Sequence, residues 1–69
     1  MFDKVKFKAA AILAGKTYIE LAEALQIDVS TLYRKINGIS DFTRAEIQTL
    51  CDVMNLDSPV DIFFSKDIA

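Results

Sequence analysis

The side chains richest in hydrogen-bonding groups at regular spacing lie between Ser30 and Asn37. A helix over 29–36 turns Leu32 and Ile36, one turn apart, to a single side. Stepping about 100° per residue from Leu32 sends Ser30, Arg34 and Asn37 to the opposite side. Thr31 lies near them, and Tyr33 and Lys35 stand on the flanks. Such a face offers hydroxyl, amide and guanidinium groups to a hydrogen-bonding partner. It is a surface for recognition, with no nucleophile set beside a base. The remaining chain adds no catalytic chemistry. It has no His and one Cys, so neither a zinc site nor an internal disulfide is expected. No glycine-rich phosphate loop and no recognisably spaced catalytic pair is present, so no enzyme, no cofactor and no small-molecule substrate is expected.

Five helices with short joints are predicted to carry this face. The first spans 3–14, with Phe2, Val5, Ala9, Ile12 and Leu13 at helical spacing as its apolar side and Gly15 as its stop. Lys4, Lys6 and Lys8 are read as a solvated face. The second, 17–25, opens on a capping box in which Thr17 and Glu20 satisfy each other's backbone N–H groups. Its inner side is Tyr18, Leu21, Ala22 and Leu25. A tight joint follows, and Asp28 is the expected cap of the third helix, which Asn37-Gly38 terminates. Thr43 and Glu46 form a second capping box for a helix to residue 54, with Ile47, Leu50, Cys51 and Met54 as its stripe and Cys51 as a buried, inert thiol. Ser58, Pro59 and Asp61 start a short fifth helix through residue 64. Phe7, Tyr18 and Phe42 are core or core-edge aromatics, and residues 65–69 are expected to fray.

At 69 residues the chain has room for one domain, 1–69, and its 52% apolar content is too high for disorder. The Lys-flanked run 9–14 is too short to span a membrane and lacks the cleavage site of a secretory signal. The single Cys suits a reducing, cytoplasmic setting. The net charge of −2 hides an uneven spread. Residues 1–44 carry +2, from seven Lys/Arg against five Asp/Glu, while residues 45–69 carry −4, from one against five.

Two short helices joined by a tight turn, the second polar on its outer side, make a helix-turn-helix. Ala22 stands where the two helices must approach closely. Residues 17–38, TYIELAEALQIDVSTLYRKING, resemble the lambda-repressor-like (Cro/CI-type) helix-turn-helix family. The pattern matches at Thr17, Leu21, Ala22, Leu25, Thr31, Asn37 and Gly38, with Ile27 and Leu32 as conservative replacements. The stretches LYRKINGISDFTRAEI and SPVDIFF are similar to small regulators of temperate phages of Gram-positive hosts. The resemblance implies an all-α, five-helix DNA-binding domain with its helix-turn-helix in helices two and three. Four positions depart from the pattern: Tyr18 replaces a phosphate-binding Gln, Gln26 the turn glycine, Asp28 the capping Ser, and Val29 an Arg or Gln.

Carried onto this chain, the resemblance implies that Asp28, Val29, Ser30, Thr31, Tyr33 and Arg34 meet the DNA or a partner. Arg34 is the candidate for a forked contact with guanine. Val29 either touches a thymine methyl or joins the core, and Tyr33 either enters the groove or packs at the helix edge. Lys16, Thr17, Tyr18, Lys35, Asn37, Thr43 and Arg44 would lie at phosphates. Val60, Ile62, Phe63 and Phe64, beside Asp57 and Asp61, form a candidate dimer or partner patch, with core as the alternative. Two functions follow. One is a Cro-like regulator binding a double-stranded operator as a homodimer. The other is an antirepressor that grips the DNA-binding domain of its cognate phage repressor, as the acidic pI of about 4.8 and Asp28 suggest.

Overall fold

A computed structural model describes residues 2–64. Within them the order is α1 (Lys4–Leu13), α2 (Tyr18–Leu25), α3 (Val29–Ile36), α4 (Arg44–Val53) and α5 (Val60–Phe63), with no strand. The all-α expectation and the five elements agree with this to within a residue or two. Residues 65–69, where fraying was expected, lie outside the described residues. No helix among the described residues is long and apolar enough to cross a membrane.

The helix ends follow local chemistry. Asp3 caps α1 by accepting from the Lys6 N–H at 3.0 Å. Gly15, at φ +69°, provides the left-handed exit that an L side chain resists. At the end of α2 that conformation falls to Gln26, at φ 59°, the position where the resemblance leads one to expect a glycine. At the start of α5, Pro59 already has helical dihedrals, and the Ser58 hydroxyl accepts from the Val60 N–H at 3.2 Å.

α2 packs against both α3 and α4, and α1 packs against α5. Phe7, Leu21, Leu32 and Leu50 are fully buried, one from each of the first four helices, and Ile62 and Phe63 close the core from α5. A cluster of rings fastens Phe2, ahead of α1, and Phe63, at the end of α5, to it. Phe2 lies 5.4 Å from Phe7, 5.2 Å from Phe42 and 5.5 Å from Phe63 between centroids. The Asp3 N–H donates to the Ile62 carbonyl at 2.6 Å.

One expectation is corrected, and one left open is divided. The inner side of α1 is Phe7 and Ala11, while Val5, Ile12 and Leu13 are 77%, 67% and 88% exposed and Ala9 is exposed too. The helix has apolar residues on both sides. The side that turns inward is the one whose aromatic meets Phe2, Phe42 and Phe63. In the C-terminal patch, Ile62 and Phe63 belong to the core, leaving Val60 and Phe64 exposed.

Candidate nucleic-acid interface

The start of α2 is built by Thr17 and Glu20. The Thr17 N–H donates to the Glu20 carboxylate at 2.9 Å, and the Glu20 N–H donates to the Thr17 hydroxyl at 3.1 Å. The Thr17 backbone and hydroxyl hold the Glu20 carboxyl below its ordinary value. Tyr18, the next residue, is half-buried and joins three helices. Its ring lies 5.8 Å from Phe7 of α1 and edge-on at 5.5 Å to Tyr33 of α3. Burial, then Tyr33, raises its phenol above the usual range. The Thr17 hydroxyl and the Tyr18 ring are therefore engaged by other residues of the chain.

The turn between α2 and α3 is short and well tied. The Ile27 N–H donates to the Ala22 carbonyl at 3.0 Å, and buried Ala22 lets the two helices approach. Asp28 holds the cap position of α3, but its carboxylate makes no capping bond, which corrects that expectation. The exposed carboxylate projects at the head of α3 instead.

α3 is the most sharply two-sided helix. Leu32 and Ile36 are buried, while Ser30, Arg34 and Asn37 are exposed. Tyr33 is 48% exposed despite its contact with Tyr18, so it serves both as packing and as surface. Thr31 is half-buried. Val29 is half-buried and packs against the core, which favours the packing side of its two readings.

Lys35 behaves unlike its neighbour Arg34. Its ammonium sits 3.1 Å from the Glu46 carboxylate, donates to the Asp41 carbonyl at 3.0 Å and lies 5.9 Å above the Phe42 ring. Its side chain is 11% exposed. In this structure Lys35, expected at a phosphate, is engaged instead as a strut between α3 and α4. Glu46 is simultaneously the capping partner of Thr43, accepting the Thr43 N–H at 2.8 Å. Burial pushes its carboxyl up, but the Thr43 N–H and Lys35 outweigh it and hold it below the ordinary value.

Of the other expected phosphate ligands, Lys16, Thr43 and Arg44 are exposed. Thr43 spends its hydroxyl on the Glu46 N–H at 3.1 Å. Asn37 is exposed and accepts from the Lys4 ammonium at 3.3 Å. That contact adds Lys4 to the surface around the end of α3. Sequence reasoning missed it because the two residues are 33 positions apart and no local pattern joins them. Cys51 is buried, and burial followed by Asp52 raises its thiol above the usual range, as befits an inert packing group.

A helix whose inner residues are locked and whose outer residues are polar, set at a tight turn behind a second capped helix, has the geometry of a DNA-reading helix-turn-helix. A family model described as the Cro/C1-type HTH DNA-binding domain matches residues 6–64. The chain belongs to that family, a class of DNA-binding transcription regulators. No curated protein and no solved structure matches it.

Proposed function

We propose that this protein is a Cro-like regulator of a phage or prophage switch, which places α3 in the major groove of a short operator. The observation that carries the reading is the exposed polar side of α3 above buried Leu32 and Ile36. Arg34 is the base reader, forked onto guanine, with Ser30, Thr31 and Tyr33 beside it. Lys16, Arg44, Asn37 and the added Lys4 hold phosphates, helped by the backbone N–H groups at the starts of α2 and α4. Binding of the purified protein to its own promoter region, followed by fluorescence anisotropy over a salt series, tests the reading. A specific, salt-sensitive isotherm is expected. Arg34→Ala should weaken it by about 1–3 kcal/mol and relax discrimination at one base pair. Equal binding by Arg34→Ala removes that role from Arg34, and no binding at any salt overturns the operator reading.

A second reading is favoured by the exposed, uncapped Asp28 and by the loss of Lys35 from the free cations. In it the protein is an antirepressor, and α3 docks on the basic DNA-binding face of its cognate phage repressor. Asp28→Lys should then abolish co-elution with that repressor. Unchanged co-elution rejects this role.

A further inference from the structure

Two surfaces lie outside the helix-turn-helix, and their chemistries are opposite. The first is the outer side of α1. Val5, Ala9, Ile12 and Leu13 stand at i, i+4, i+7 and i+8, a continuous helical stripe facing away from Phe7 and Ala11. Exposed Lys6 and Lys8 flank it on either side. An apolar stripe this complete on an outer face marks an interaction surface. The second is a groove of about 630 Å³ between α4 and the segment leading through α5. Ile47, Leu56, Pro59 and Phe64 supply its apolar walls, and exposed Asp52 and Asp57 stand on its edge. Arg44 adds one cation to the lining. On the helical wheel of α4, Gln48 and Asp52 lie on the flank opposite Glu46, the residue that faces α3 through Lys35. The groove therefore leaves the recognition helix free.

We propose that the α1 stripe of one copy of this chain seats in the α4–α5 groove of a second copy. Apolar ridge meets apolar trough, and the lysines edging the one meet the aspartates edging the other. The uneven charge of the chain, +2 in residues 1–44 and −4 in 45–69, is the same complementarity on a larger scale. Stripe-to-stripe packing would instead bring lysines against lysines. Each copy carries both halves of the contact, so two copies related by a two-fold axis make it twice, and any other arrangement leaves a stripe and a groove open to a further copy. It needs no DNA and goes beyond the operator reading.

Sedimentation of the full chain without DNA, from low to high micromolar concentration, tests the proposal. The expected result is a mass that rises with concentration and falls as salt is added. Leu13→Glu removes the stripe and Phe64→Lys the groove, and each should weaken association at least tenfold with helical circular dichroism unchanged. Asp57→Lys, on the exposed edge, is a second groove variant should Phe64→Lys unfold. Mixing the Leu13→Glu chain with either groove variant leaves one intact stripe and one intact groove, so a one-to-one pair should form. A wild-type mass that stays monomeric overturns the proposal. So does association that strengthens with salt, or folded variants that fail to pair on mixing.

Discussion

Helices α1 and α3 solve the same packing problem with different outer faces. Each drives two residues inward, Phe7 and Ala11 from α1 and Leu32 and Ile36 from α3. Beyond that they diverge. α3 presents Ser30 and Arg34 to the outside, and α1 presents Val5, Ile12 and Leu13. The inner residues of a helix record which neighbours it folds against. The outer residues record what else it meets: a hydrogen-bonding surface for α3, an apolar one for α1.

The sharpest way to break this comparison is to truncate one leucine from each helix. Leu32→Ala, at a fully buried site, should cost about 2–5 kcal/mol, most of what a domain of this size possesses. Leu13→Ala, at 88% exposure, should change unfolding by less than about 0.5 kcal/mol. Urea titrations of the two variants read the difference, and equal losses would mean that α1 buries its other side.

Adjacent cations on α3 sharpen the same point on a smaller scale. Lys35→Ala leaves the Glu46 carboxylate without its ammonium partner and should cost about 1–3 kcal/mol of stability. Arg34→Ala should leave stability nearly unchanged and spend its effect on DNA affinity. Thermal melts beside anisotropy titrations separate the two. A Lys35 variant that melts normally but binds poorly would return that residue to the phosphates.

The smallest effects lie at the helix starts. Thr43→Ala removes a capping bond and should cost about 1 kcal/mol, whereas Asp28→Ala removes none and should cost little. Glu46 links this to pH. Its carboxyl is held below the ordinary 4.5 in the folded state, so its contribution is full above that value. It is lost as pH falls through the lower folded value. Stability measured downward from pH 5 should therefore decline, and more gently in Lys35→Ala, which removes one of the two partners that lower the carboxyl.

The parts of this molecule legible in its sequence are those governed by near neighbours. The boxes Thr17/Glu20 and Thr43/Glu46 are three residues wide, and both formed with all the expected backbone bonds. The stripes of α2, α3 and α4 repeat at one turn and fell inward where expected. The face of α1 was misread because periodicity reports that an apolar face exists, not which of two will be covered. That choice rests on Phe2, Phe42 and Phe63, most of them far along the chain. The Lys35 strut likewise depends on Glu46 and on the Asp41 carbonyl, which no spacing within α3 could disclose. Of the candidate interface, the exposure of Ser30 and Arg34, the capping by Thr17 and the core-edge place of Tyr18 are readable, and the engagement of Lys35 by Glu46 and Asp41 is not.

The bond from the Asp3 N–H to the Ile62 carbonyl, with Phe2 against Phe63, has a consequence for synthesis. Chains are made from the N-terminus, and the first residues wait for their partners. Here the wait lasts until the end of α5, because the ring cluster lacks a wall until Phe63 has cleared the ribosome. The helices that flank the turn can form early, yet the core stays open to water until α5 is made. The core therefore closes late, when α5 meets Phe2 and Asp3.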